Sequence, residues 1–210
     1  NYYAVLTAVA ARNANNQAIA AATGIPERSL HYYIQQLSGL GYVARRFPLA
    51  GKKPNPRQVR YVITDPLLCF WFRFVFPNLS FFQQMGPQRA LRERIRPEFD
   101  AYFGLCFERL CRHALPVIYE REGVSAAFEV GEYWDKEIQI DIVGLRDDHW
   151  TDLGECKWGT ITSYRKLLEE FERKVRTYPN TRGATIGKRL FFKKKPGAKV
   201  QDTSDVSWYG

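Results

Sequence analysis

The chain has 210 residues, 45% of them hydrophobic and 15% aromatic, which suits one or two domains with cores of their own. No run reaches the ~20 consecutive apolar residues of a membrane span, and no secretory leader pattern is present, so a cytoplasmic protein without a membrane partner is expected. The net charge is +9 and is uneven: residues 1–64 carry eight bases (Arg12, Arg28, Arg45, Arg46, Lys52, Lys53, Arg57 and Arg60) against one acid, Glu27, a net of +7. That asymmetry favours a polyanion partner for the first third. Cys69, Cys106, Cys111 and Cys156 show neither CxxC spacing nor a partnered histidine, which argues against a structural zinc site or a disulfide framework; buried reduced thiols are expected. The first residue is Asn1 rather than Met, so a piece of a longer protein is the expectation.

In chain order, Tyr2–Ala11 is Ala-rich with helical apolar spacing, Asn13–Asn16 is a turn, and Gln17–Thr23 is a second short helix. Gly24-Ile25-Pro26 breaks it. Glu27–Leu40 follows with an apolar stripe at Leu30, Tyr33, Ile34, Leu37 and Leu40, and Gly41 ends it. Two helices around a tight Gly-containing turn are the helix-turn-helix signature. Tyr42–Pro48 and Gln58–Thr64 are expected as paired strands around the basic Gly/Pro loop Leu49–Arg57. The predicted unit over residues 1–65 is therefore a winged helix-turn-helix. Its candidate DNA contacts are Arg28, Ser29, His31, Tyr32, Gln35 and Gln36 on the third helix, with Lys52, Lys53 and Arg57 in the loop, because Gln reads adenine edges and bases neutralise phosphates. Protein interaction is the alternative use of such a unit.

Residues 66–97 are expected as a helical linker. Asp65-Pro66 opens a helix, Leu67–Phe76 is apolar nearly all round and should be buried, and Pro77-Asn78 should end it. Gln88–Ile95 should be a short basic helix. The third region, 98–210, starts with a helix over Glu98–Leu115 that buries Phe99, Tyr102, Phe103, Phe107, Leu110 and Leu115. Strands follow at Phe128–Tyr133, Glu137–Leu145 and Thr151–Lys157. A helix over Thr162–Tyr178 turns Leu167, Leu168, Phe171 and Val175 to the sheet and Arg165, Lys166, Arg173, Lys174 and Arg176 away from it. A strand at Lys188–Lys193, the charge run Lys193-Lys194-Lys195 and an edge strand at Val206–Tyr209 complete the chain.

The chemistry concentrates at Gly154-Glu155-Cys156-Lys157-Trp158 and Asp141. Neighbouring strands can place Asp141 beside Glu155, and Glu155 and Lys157, two apart, share a face. One or two carboxylates can hold Mg²⁺ or Mn²⁺ next to a phosphate, and an adjacent lysine can stabilise developing charge. A solvated hairpin with an ordinary Glu–Lys pair is the plain alternative.

The spacing Asp141…Glu155-X-Lys157 resembles the PD-(D/E)xK nuclease superfamily. The resemblance implies that Asp141 and Glu155 bind metal and that Lys157 is catalytic. It also implies a restriction-endonuclease-like αβββαβ domain of α/β (α+β) class over 98–210, with Glu108 of the first helix as a further metal-site acid. The alternative for Glu108 is an ordinary i,i+4 pair with Arg112. Tyr2-Tyr3-Ala4-Val5-Leu6, the segment Ile63–Val75, Pro77-Asn78, Gly104–Glu108 and Gly154–Trp158 together resemble the C-terminal region of archaeal-type ATPases of the STAND/AAA-like class. Gln139 departs from that pattern, standing where an acid commonly precedes the Ile-Asp pair. The resemblance implies a DNA partner, an ATPase domain on the N-terminal side, and a DNA-binding, divalent-metal-dependent nuclease-like activity. A catalytically inactive DNA- or protein-binding regulatory module of such an ATPase is the alternative, and a regulatory or toxin-like role within an ATPase machine is a third.

Overall fold

A computed structural model describes residues 1–53, 55–194 and 205–210; Pro54 of the basic loop and Lys195 of the charge run lie outside the described residues. The chain is a mixed α+β protein that divides into two compact units, residues 1–47 with 55–99, and residues 48–54 with 100–210. Among the described residues no helix is long and apolar enough to cross a membrane.

The first unit holds α1 (Tyr2–Ala10), α2 (Asn16–Thr23) and α3 (Glu27–Gly39), followed by β1 (Val43–Arg46) and β2 (Arg60–Ile63) as an antiparallel pair. Its ends are set locally. Asn15 accepts the amide of Ala18 at 2.8 Å and caps α2. Gly41, at φ +76°, lets the chain reverse after α3, with Gly41 N–H donating to Ser38 O and Tyr42 N–H to Leu37 O. Leu30, Ile34 and Leu37 of α3 bury against Val5, Val9, Ile19, Val43, Tyr61 and Ile63. Leu40 was expected on that stripe but lies beyond the last helical turn and is exposed.

Asp65 caps α4 (Pro66–Phe70) by accepting the amide of Leu68 at 2.7 Å, with Pro66 at its first position. The segment is not buried all round as expected: Phe72 and Phe74 are buried, whereas Leu67 is 77% and Trp71 43% exposed. It also does not stop at Pro77. Residues Trp71–Val75 widen into a π-turn, closed by Phe76 N–H reaching back to Trp71 O, and a 3₁₀ turn over Phe76–Asn78 leads into α5 (Leu79–Met85). The same device recurs after α6 (Pro87–Ala90), where Arg96 N–H closes on Leu91 O ahead of Pro97. In both places a proline has no N–H to give and crowds the carbonyl four residues back, so the preceding turn takes up an extra residue.

The second unit is three-layered. Its five-stranded sheet has the order β3 (Phe128–Trp134), β4 (Gln139–Arg146), β5 (Trp150–Lys157), β6 (Thr185–Phe192), β7 (Val206–Tyr209). β3–β4 and β4–β5 are antiparallel; β5–β6 and β6–β7 are parallel. A parallel neighbour needs a crossover, and α8 (Tyr164–Thr177) supplies it between β5 and β6. On one face Leu167 and Phe171 of α8 pack on Val143, Leu145, Leu153, Leu190 and Phe192. On the other, Cys111, Leu115 and Tyr119 of α7 (Phe99–Arg121) pack on Ile142, Cys156 and Phe191. The spacing 111, 115, 119 is the buried stripe of α7, which is why the helix runs past its expected end at Leu115, through Pro116, while Leu110 and Phe103 are exposed.

Residues 48–54, between β1 and β2, join this second unit. Leu49 N–H donates to Glu132 O, Tyr178 Oη donates to Leu49 O at 3.0 Å, and Thr181 Oγ1 donates to Ala50 O at 2.8 Å. Beneath α7, Tyr119 Oη donates to Asp152 Oδ2 at 2.6 Å, and Arg189 bridges Asp152 and Glu122. A Cβ at Gly144 would stand 2.1 Å from that Tyr119 oxygen, whereas one at Gly159 meets nothing within 4 Å. Gly144→Ala is therefore expected to cost about 1–3 kcal/mol by overpacking, and Gly159→Ala to stay within about 0.5 kcal/mol, both read from urea denaturation midpoints.

Candidate functional site

The site begins as an irregularity in β4. Val143 and Leu145 face α8 while Ile142 and Gly144 face α7, yet Ile140 faces α8 again. The alternation therefore resets across Asp141. The ladder shows the same break, pairing Gly131 with Val143 but Tyr133 with Ile140, so that Asp141 and Ile142 oppose Glu132 alone. This is a β-bulge, which bends a strand and re-aims a side chain. On the other side the β4–β5 ladder ends at Ile142↔Gly154. Just past its end, Cys156 N–H is taken at 2.9 Å by Asp141 Oδ2. Arg112 of α7 satisfies the bulge's backbone, donating to Asp141 O at 2.7 Å, and lies 3.8 Å from Glu132.

Glu155 projects from β5 on the α8 side and is 4% exposed. Lys157 Nζ donates to its Oε1 at 2.8 Å, and Lys174 Nζ of α8 reaches both oxygens at 2.9 and 2.8 Å. Asp141 is buried too, and its pKa is pushed up to about 7, by burial first and then by the negative charges of Glu155 and Glu108. The Cys156 amide and Lys174 oppose that rise without cancelling it. Burial works to lower the pKa of Lys157, but Glu155 outweighs it and holds the ammonium above the usual lysine value. Lys157 is thus a fixed positive charge and not a base.

The structure brings Asp141, Glu155 and Lys157 to one place, with Glu108 near enough for its charge to be felt at Asp141. Among the described residues no group of three or more His, Cys, Asp and Glu side chains stands ready-made for a metal ion. The donor chemistry nonetheless fits a hard divalent cation. All donors are carboxylate oxygens, and the raised proton affinity of Asp141 marks a place where added positive charge is favoured. Lys174 corrects the expectation that it decorates the outer face of α8. It stands three residues after Phe171 and seven after Leu167, on the buried stripe, and that spacing was the signal available in the sequence. Arg112 gave no such signal, because its partner is a backbone carbonyl exposed by the bulge.

In the first unit Arg28, Ser29, His31, Tyr32, Gln35 and Gln36 all lie exposed on α3. Arg57 is exposed in that unit, and Lys52 and Lys53 are exposed in the stretch that joins the second unit. The nine residues expected to contact DNA are accordingly divided between the two units.

Residues 71–176 match the family DUF234, described as archaea bacterial proteins of unknown function. The chain belongs to this family. The match takes in α7, all of β3, β4 and β5, and most of α8, so it covers Asp141, Glu155, Lys157 and Glu108 but none of the nine residues expected to contact DNA. The chain is also 25% identical over 214 residues to the uncharacterized protein MJECL04 of Methanocaldococcus jannaschii; the alignment covers 98% of this chain and 48% of that protein. The chain thus spans about half the length of the curated relative it matches. No solved structure matches.

Two outcomes follow from the charges. A carboxyl whose pKa is higher folded than unfolded favours the folded state while protonated, so this contribution to stability is lost as pH rises from about 4 through 7. Asp141→Asn should remove that loss, gaining stability relative to wild type at pH 8 but not at pH 4, as measured by denaturation in EDTA. Lys174→Met should destabilise by about 3–5 kcal/mol, because it strips a partner from a buried carboxylate, and a thermal melt at pH 8 would show it.

Proposed function

We propose that this chain is a DNA-binding, divalent-metal-dependent nuclease-like protein, with a winged helix-turn-helix in its first unit and a PD-(D/E)xK-type site in its second. The observation that carries the reading is the grouping of Asp141, Glu155 and Lys157 at the bulged end of β4 and the end of β5, between helices on both faces of the sheet. The order helix, three strands, helix, strand is that of the nuclease fold, with β7 added at the edge. Three helices followed by a two-stranded antiparallel pair support the winged-helix reading, and the +7 charge of residues 1–64 supports DNA as its partner. The resemblance to archaeal-type ATPases adds that the chain works as the C-terminal part of such an ATPase.

In this reading Asp141 and Glu155, with Glu108, hold Mg²⁺ or Mn²⁺. The ion, when bound, supplies Lewis acidity toward the phosphodiester and a lowered pKa for the attacking water. The protein's own work is positional and electrostatic. Cys156 N–H and the Arg112-supported bulge fix Asp141. Lys174 holds Glu155 in place and Lys157 carries positive charge to the phosphate oxygens, where negative charge grows during cleavage.

One observation favours a second reading, a catalytically inactive DNA- or protein-binding module: both oxygens of Glu155 are already occupied by ammonium groups. The decisive comparison is cleavage of plasmid and oligonucleotide DNA in Mg²⁺ or Mn²⁺. Wild type should cut, Asp141→Ala should not, and Lys157→Ala should fall by about 10²–10³, the usual effect of losing one transition-state donor. Equal products from all three, with no heat of Mn²⁺ binding by calorimetry, would leave the inactive module. Separately, Arg28→Gln on α3 should weaken duplex binding and lower the salt slope by about 0.9, one released counterion's worth; an unchanged slope would remove α3 as the DNA contact.

A further inference from the structure

β5 and β6 run parallel, so their C-terminal ends emerge side by side, and the ladder continues one step further as Lys193 N–H donates to Lys157 O at 3.1 Å. This brings the residues just after the two strands together at the edge of the carboxylate site. Trp158 follows Lys157 directly. Its ring is stacked on Phe103 of α7 at 5.6 Å between centroids and flanked by Phe107 at 5.8 Å. Its Nε1 donates to Asp100 Oδ1 at 3.4 Å. The indole is therefore held from α7 by two rings and a hydrogen bond. The Lys193 ammonium lies over the same indole, 4.1 Å from its centroid. Lys193 is exposed, Lys194 beside it is exposed, and among the described residues no carboxylate pairs with Lys193.

A cation resting on a fixed aromatic ring is a weak contact in water, worth about 0.5–1 kcal/mol at an exposed site. It is readily exchanged for a better one. A nucleotide offers that exchange at both ends: its phosphate is a stronger partner for the ammonium, and its base is a flat surface for the face of the half-buried indole on which the ammonium rests. We propose that Trp158 and Lys193 form a nucleotide subsite next to Asp141 and Glu155, taking an unpaired base on the Trp158 ring and the neighbouring phosphate on Lys193. The preference for an unpaired base follows from geometry. A base stacked in a duplex has both faces covered and cannot lie on an indole unless it is drawn out, at a cost of a few kcal/mol. The chemical class of ligand is a single-stranded or locally opened DNA strand. This subsite deepens the nuclease reading, and it places unpaired nucleotides beside the bond to be cut.

The test uses the whole chain in EDTA, so that binding is read without cleavage, with a fluorescently labelled oligothymidylate and a duplex of equal length as probes across a salt titration. Lys193→Gln should weaken oligothymidylate binding and reduce its salt slope by about 0.7, the value for one phosphate on a single strand. Trp158→Leu should weaken it by roughly 5- to 150-fold, the range for loss of one stacked base, while Trp158→Phe keeps most of the affinity. The duplex, held by other surfaces, should respond little to any of the three. Oligothymidylate affinity and slope unchanged in Lys193→Gln, whose exposed side chain leaves folding intact, would overturn the subsite. So would a duplex that depends on Trp158 as strongly as the single strand. Failure of the nuclease reading looks different: no cleavage by wild type in Mn²⁺, with the slope change at Lys193 still present.

Discussion

The acceptance of the Cys156 amide by the Asp141 carboxylate is the contact on which the rest of the second unit's site depends. A regular β4–β5 ladder would send that N–H toward a backbone carbonyl. Instead the ladder stops at Ile142↔Gly154, and a side chain serves as acceptor. Two consequences follow. A carboxylate is buried at a point where the strands cease to pair, and it sits next to a second carboxylate, Glu155, on the neighbouring strand. Burial and mutual repulsion then raise the proton affinity of Asp141, while the two lysines steady Glu155.

The surrounding architecture supports that break. Arg112 reaches across from α7 to the Asp141 carbonyl, so the bulge's backbone acceptor is satisfied. α8 delivers Lys174 from its buried stripe to Glu155. Away from the site the same sheet is tied by a separate buried network, in which Tyr119, Arg189 and Glu122 converge around Asp152 and its neighbours. The two polar centres differ in what holds each acid. Asp152 takes hydrogen bonds from Arg189 and from the Tyr119 hydroxyl, whereas Asp141 takes one from the Cys156 amide while Glu155 and Glu108 raise its proton affinity. An acid raised in this way favours whatever brings positive charge to it.

Much of the plan was legible in the residues because it is written in local patterns. Asp65-Pro66 starts a helix and Gly41 ends one, both through interactions within a few residues. The errors share a cause. Leu67, Leu40 and Leu110 were assigned to buried faces on hydrophobicity, but burial depends on which neighbour arrives, and none covers them. Pro77 is expected to end its helix and Leu115 to be the last residue of α7, yet a π-turn absorbs the proline, and the Leu115–Tyr119 stripe carries α7 on to Arg121.

By itself the sequence determined the order of the strands and of the helices other than α5, the positive bias of the first third, and the pairing of Glu155 with Lys157 two residues on, since each rests on spacing along one segment. Only the tertiary structure decided that a bulge turns Asp141 toward Cys156, that Lys174 faces inward to Glu155, that Arg112 props the bulge, and that residues 48–54 join the second unit. These contacts join residues between 15 and 131 positions apart. No local periodicity encodes such partners, because they are chosen by the packing of whole layers.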